Sequence, residues 1–289
     1  MSISLDLNTH VVMSGVDYFD DSFAINPYMD DRVPIDLGRA KQEHDAIKQA
    51  LESAGISVTQ VTAPADCQDG VYTANWALCR GDKAVVSRLP NKRQAEEPYA
   101  EQVLRQLGKE IITPPTGLKF SGQGDALPCG NLLFAGSVYR TDMAMHQFLA
   151  EALGYEVISL ETVPETDKNG QPTINSVTGW PDSFFYDIDL ALAVISPELI
   201  AWCPEAFTPE SQAKVRGITA VDKIEVSLRE ATEGFACNLV STGQAVVMSA
   251  SAPQLKAALQ QRGLQVSTPS ISELAKGGGY IRCTTLTLV

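Results

Sequence analysis

One local pattern recurs along the 289-residue chain and constrains its fold more than any other feature: an amphipathic helix that stops at a glycine, followed at once by a short β-branched strand. The copies are LESAGISVTQV (51–61), LRQLGKEIITP (104–114), LAEALGYEVISL (149–160) and LQQRGLQVSTP (259–269), with a degenerate copy at Gly217 in AKVRGITAVDKIEV. Gly55, Gly108, Gly154 and Gly263 sit where helices commonly end in a left-handed residue. The spacing is near 50 residues, with one double gap that Gly217 divides. Most of these helices follow an apolar strand pair, as in VYTANWALCRGDKAVVSR (71–88), ALPCGNLLFAG (126–136) and GFACNLVSTGQAVVMS (234–249), with Gly81-Asp82 and Thr242-Gly243 placed as hairpin turns. A β-β-α-β unit of this size cannot bury its own apolar face, whereas a closed ring of such units buries them against a common centre. The chain is therefore expected to be an α/β protein, a five-fold pseudosymmetric β-β-α-β propeller, with residues 1–289 forming a single domain. The competing arrangement is a conventional α/β sheet with similar helices.

Composition narrows the function. With 44% apolar and 20% charged residues the chain is an ordinary globular protein, and its net charge of −13 comes without any Lys/Arg-rich run. That balance argues against nucleic acid and anionic membrane as partners and mildly favours small cations. The first residues, MSISLDLNTHVVMSG, lack a basic segment followed by an apolar one, and no stretch reaches 18 apolar residues, so a cytoplasmic location is expected. Assembly as a homo-oligomer stays open. Cys67, Cys79, Cys129, Cys203, Cys237 and Cys283 show no C-x-x-C pair, so neither a disulfide framework nor a metal centre is expected, and no cofactor is called for.

The chain closes on GGGYIRCTTLTLV, in which Thr284–Val289 reads as a last strand and Cys283 falls where a glycine-rich loop meets it. Taken alone, Cys283 reads as a small buried hydrophobe. Set beside YFDDSFAINPYMDD (18–31), VYTAN (71–75), SRLPNKRQAEEP (87–98), FSGQGDAL (120–127), YRTD (139–142), FYDIDLALAVI (185–195), FACN (235–238) and KGGGYIRCTTL (276–286), it belongs to a set that resembles the pentein, or guanidino-group-modifying, superfamily. That superfamily includes arginine deiminases and dihydrolases, amidinotransferases and dimethylarginine dimethylaminohydrolases.

The resemblance implies a cysteine nucleophile that attacks a guanidinium carbon and forms a covalent thiouronium intermediate, and Cys283 matches it. Gly277, Gly278 and Gly279 would let the loop close around a planar substrate. A guanidinium presents N–H donors in one plane and calls for carboxylates, and Asp125 matches the family's acidic position in its G-x-G-D segment, which begins at Gly122. Arg93 and Arg140 match arginines that take a substrate carboxylate, and Asn26 and Asn75 match polar pocket residues. Read without the resemblance, Asp125 is a turn residue, the arginines are surface charges, and the asparagines are caps.

Two positions depart from the family pattern. Asp187 stands where F-Y-H-L-D would have histidine, and Ser121 stands where a glutamate often precedes the G-x-G-D. Histidine titrates near neutrality and shuttles protons, whereas a free aspartate at about 3.9 does so poorly unless burial or a second carboxylate raises it. Asp189, two residues on, would share a strand face with Asp187 and supply that second charge. His146 is expected on a solvated helix face. The reading is a cysteine-dependent hydrolase or amidinotransferase acting on arginine or an arginine-like compound through Cys283, Asp187 and Asp125. The alternative is a non-catalytic pentein-fold protein that binds a guanidino or amino-acid ligand.

Overall fold

The computed structural model describes residues 7–30 and 32–288. The first six residues, Asp31 at the end of the YFDDSFAINPYMDD motif, and Val289 in the expected last strand lie outside the described residues.

The described residues form five three-stranded sheets built to one plan. They are β3 (Ala77–Arg80), β4 (Lys83–Val86) and β5 (Glu110–Ile112); β6 (Ala126–Cys129), β7 (Leu132–Gly136) and β8 (Glu156–Leu160); β9 (Leu192–Ser196), β10 (Leu199–Trp202) and β11 (Asp222–Glu225); and β12 (Val240–Ser241), β13 (Ala245–Val247) and β14 (Gln265–Ser267). The fifth combines both ends of the chain, β15 (Leu286–Thr287) pairing with β1 (His10–Ser14), which pairs with β2 (Ser57–Val61). In each sheet the inner strand runs antiparallel to the middle one, and the middle strand runs parallel to the outer one. The parallel pair needs a crossover, which the helices Leu37–Ser53, Glu96–Gln106, Ala144–Leu153, Pro209–Gly217 and Pro253–Gln261 provide. This is the five-fold pseudosymmetric propeller expected from the repeat. The ring is closed where the last strand pairs with the first.

Burial follows the plan. The inner strands are almost wholly buried, whereas the outer strands β2, β5 and β14 are exposed or half-exposed throughout. Gly55, Gly108, Gly154 and Gly263 all have φ between 73° and 87°, which is why the repeat spells glycine there. Gly217 does not share this conformation; it is the last helical residue and Ile218 follows in extended geometry, which accounts for the degenerate copy.

Three local expectations change. VYTAN is a tight turn before β3, not part of a strand, because Thr73–Trp76 form a 3₁₀ turn. Thr284 and Thr285 likewise belong to a turn that bonds back to Tyr280 and Arg282, leaving a short β15. His146 is not on a solvated face: it is buried between Ser159 Oγ at 2.6 Å and the Gly136 carbonyl at 2.8 Å. The helix presents it to the neighbouring strands, and burial lowers its pKa.

Candidate active site

Every inner strand is preceded by a tight turn, and these turns meet. Asn75 lies two residues before β3, Asp125 one before β6, Asp189 three before β9, Asn238 two before β12 and Cys283 three before β15. The pseudosymmetry thus delivers one polar residue from each unit to the same end of the ring. Contacts between them show it: Asn75 reaches the Asp187 turn, Asn238 reaches Cys283, and the Ala74 amide bonds to the Cys283 carbonyl at 3.0 Å.

Cys283 is buried, but its sulfur does not face an apolar core. Its thiol donates to Asp189 Oδ2 at 3.3 Å, and Asn238 Nδ2 donates to Sγ at 3.1 Å. The other end of the same amide, Asn238 Oδ1, accepts from the backbone N–H groups of Tyr280 and Cys283, both at 3.1 Å. Asn238 therefore fixes the loop and the sulfur with one side chain. Asp187 faces the same space. Its Oδ2 accepts from Asn75 Nδ2 at 2.7 Å, and Asn75 also bonds Ser121. Asp187 and Asp189 do not share a strand face as expected. Asp187 is extended and caps a 3₁₀ turn that contains Asp189, so the turn, not strand periodicity, aims both carboxylates inward.

Asp125 stands behind this turn. Its carboxylate accepts from the Ile188 N–H at 3.1 Å and from Thr141, so in this structure it holds the Asp187–Asp189 turn. Arg93 is buried and ion-paired: Nε and NH2 each bond Glu96 at 2.8 Å, NH1 bonds Asn75 Oδ1 at 2.8 Å, and NH2 also reaches the Asp69 and Tyr72 carbonyls. Arg140 differs. It is buried, donates to the Ile25 carbonyl, lies 4.8 Å from the Tyr186 ring centroid, and has no ion-pair partner among the described residues.

Asn26 donates to the Gly277 carbonyl at 2.9 Å and accepts from the Tyr28 amide, joining the segment near residues 15–36 to the glycine loop. The glycines pack closely: a Cβ at Gly278 would strike Asn26, and one at Gly279 would meet the Tyr72 ring and the Cys283 Cβ. Gly122, at φ 60°, is likewise pressed against the Ala74 and Ala77 carbonyls. These residues shape the walls by contact.

The electrostatics are those of a site waiting for a cation. Burial, and after it the neighbouring Asp189, pushes the Cys283 thiol well above the usual thiol range. Burial and then Asp187 raise Asp189 well above the carboxylate range, and burial raises Asp187 against the opposing pull of Arg140. Asp187 Oδ1, Asp189 Oδ1 and the Tyr28 hydroxyl are buried without a hydrogen-bond partner. Such groups are rare in native proteins and call for a ligand or water.

Asn238 and Tyr28 carry no role in the sequence reading, and Asp189 enters it only as the charge that raises Asp187. A signal existed for two of them: aligning the five units places Asp189 and Asn238 at the turn position that Asn75 and Asp125 occupy. Among the described residues no cluster of three His, Cys, Asp or Glu side chains is arranged to hold a metal ion, and no helix is long and apolar enough to cross a membrane. All six cysteines are free and buried.

A five-fold β-β-α-β ring with a thiol set among carboxylates at one end defines a guanidino-modifying enzyme of the pentein superfamily. The chain belongs to the dimethylarginine dimethylaminohydrolase family, hydrolases of guanidino C–N bonds; the family model described as N,N dimethylarginine dimethylhydrolase, eukaryotic, matches residues 23–289. It is 33% identical over 271 residues, 93% of this chain and 82% of the relative, to the N(G),N(G)-dimethylarginine dimethylaminohydrolase of Mycobacterium tuberculosis. It is also 31% identical over 280 residues to a bifunctional arginine dihydrolase/ornithine cyclodeaminase of Nostoc, spanning 37% of that protein. Among solved structures, the N-terminal domain of a cyanobacterial arginine dihydrolase bound to product superposes with a TM-score of 0.86 at 28% identity, covering 98% of both chains.

Proposed function

We propose that the chain hydrolyses the guanidino group of arginine or an N-substituted arginine through a covalent thiouronium on Cys283, with the five units acting as one domain. The observation that carries this reading is the thiol held between Asp189 and Asn238 beside two unpartnered carboxylate oxygens. A guanidinium entering there places its N–H donors against Asp187 Oδ1 and Asp189 Oδ1. Its positive charge offsets the carboxylates and lowers the thiol pKa, so the substrate generates its own nucleophile.

The steps follow from the neighbours. The Cys283 proton passes to Asp189, the thiolate attacks the guanidinium carbon, and an S–C bond forms. The C–N bond to the leaving amine breaks as that nitrogen takes a proton from a raised carboxylic acid, for which Asp187 is placed. Water then attacks the thiouronium carbon, gives up a proton to the carboxylate, and expels Cys283 as the thiol, leaving a ureido product. Arg140 takes the α-carboxylate. Because Cys283 is only 3% exposed, substrate entry requires the segment around Asn26 and Tyr28 to lift. Six free thiols fit a reducing compartment such as the cytoplasm.

Relatives support hydrolysis over transfer, being named as a dimethylarginine dimethylaminohydrolase and arginine dihydrolases, and one such dihydrolase domain has been solved covalently bound to a reaction intermediate, which supports the covalent step. The second reading, a binding protein, is favoured by Asp187 in the histidine position. Incubation with arginine, its N-methylated forms and other guanidino compounds, with mass detection of products and of a trapped adduct, separates the two. Turnover with an adduct on Cys283 is expected; tight ligand binding without turnover on any of them overturns the enzyme reading.

A further inference from the structure

The inner strands carry the catalytic turns at one end, and behind those turns lies a cavity of about 70 Å³ that runs along the strands toward their other end. It is reached from Asn8 and Leu7, just before β1 begins at His10, whereas the active-site segment leaves β1 after Ser14. Its mouth at Leu7 and Asn8 thus lies one five-residue strand of about 3.3 Å per residue from the catalytic end, while Gln123, Cys237 and Arg282 in its lining belong to the catalytic turns themselves. Most of the wall is apolar, from Leu127, Leu192, Val194 and Leu239. The polar part of the wall comes from Asn8, Gln123, Thr287 and Arg282, the last being the residue before the nucleophile.

Arg282 is 7% exposed, and among the described residues it has no ion-pair partner, only hydrogen bonds to Thr287 and Gln123. Its NH1 donates to Thr287 Oγ1 at 3.0 Å and its NH2 to Gln123 Oε1 at 2.9 Å, which leaves part of a five-donor fork uncommitted. The two partners are themselves tied in. Thr287 Oγ1 donates to Asn8 Oδ1, and Gln123 Nε2 donates to the Thr287 carbonyl at 2.8 Å, so the guanidinium is held in a built polar frame at the cavity floor. Burial lowers its pKa, and Asp189 on the catalytic side only partly offsets this. A buried guanidinium bonded to neutral groups alone is costly unless a counter-charge completes it.

We propose that this cavity is a second binding site, for a small organic carboxylate whose charge rests on Arg282 and whose short alkyl portion lies against Leu127, Val194 and Leu239. The planar fork suits a carboxylate, and the apolar walls select an organic acid over an inorganic anion. The volume exceeds the roughly 10–15 Å³ that one water needs and admits a short acid. Through Arg282, occupancy reaches Asp189 and the Cys283 backbone from outside the substrate pocket.

The test is a ligand-observed NMR titration of the full chain with butyrate and hexanoate, and with chloride and sulfate as inorganic arms. Saturable carboxylate binding is expected, at least ten-fold tighter than either inorganic anion. It should weaken at least ten-fold in Arg282→Met and in Val194→Phe, which fills the cavity, and stay within two-fold in Arg140→Gln, which tests the other buried arginine without an ion-pair partner among the described residues. Should Arg282→Met fail to fold, Val194→Phe at a half-buried strand position decides. Absence of saturable binding, inorganic anions binding as tightly, undiminished binding in the Val194→Phe or Arg282→Met protein, or loss in Arg140→Gln instead would each overturn the proposal.

Discussion

The Cys283 thiol and the Asp189 carboxylate, 94 positions apart in the chain, meet at 3.3 Å with the sulfur as donor. Burial and then Asp187 raise the proton affinity of the Asp189 carboxyl, and burial and then Asp189 raise that of the thiol. Replacing Asp189 by Asn removes the acceptor for the thiol proton. Turnover should fall by roughly 10²–10⁴-fold, the usual contribution of a positioned acid–base group. Thermal stability should move the other way. A carboxyl whose folded pKa lies above its unfolded value contributes stability that is full below about pH 4 and is lost as pH rises through the folded value. Asp189→Asn should therefore raise Tm near pH 8 and leave it little changed at pH 4; an equal Tm at both would remove the desolvated-carboxylate reading.

Asp187 separates acid catalysis from simple charge pairing. As a proton donor to the leaving amine, its replacement by Asn should lower kcat strongly with KM little altered. Because its pKa is raised, the parent rate should decline as pH rises through that raised value and this limb should vanish in Asp187→Asn. Asp187→His restores a group that titrates near neutrality and should recover activity. A change confined to KM in Asp187→Asn would assign it to substrate charge instead.

Glu43 ties the first crossover helix to the loop that carries the nucleophile. Its Oε1 accepts from the Ser272 amide and hydroxyl, and its Oε2 from the amides of Glu273 and Leu274 at 2.8 and 3.1 Å. Four donors lose their partner in Glu43→Ala, so the loss should reach about 2–4 kcal/mol. Chemical denaturation measures it. An unchanged midpoint would mean that the loop is anchored elsewhere.

His44 is buried on the same helix, with its pKa lowered to about 4, mainly by burial. A base whose folded pKa is depressed contributes stability that is present above its unfolded value, near 6.5, and is lost as pH falls through the folded value. The protein should lose stability between pH 6.5 and 4, and His44→Gln should flatten that part of the Tm profile. A variant with the same slope as the parent would exonerate His44.

The sequence alone determined the architecture and offered candidates for the site. Helix-ending glycines, strand pairs and their spacing are local properties of a repeated unit too small to bury its own face, so the ring could be read from periodicity. Cys283 could be named because its motif set is specific, and Asn75 and Arg140 likewise. What only the tertiary structure decided is what each group touches. Arg93 and Arg140 look alike in the chain, yet one is ion-paired with Glu96 and the other has no ion-pair partner among the described residues and rests on the Ile25 carbonyl and the Tyr186 ring. That Asp125 accepts from the Ile188 amide, and that Asp189 rather than Asp187 receives the thiol, are through-space facts. Hydrogen-bond partners, burial and the pKa shifts they cause depend on through-space distances between units some 50 to 160 residues apart, and no local pattern encodes those distances until the ring has closed.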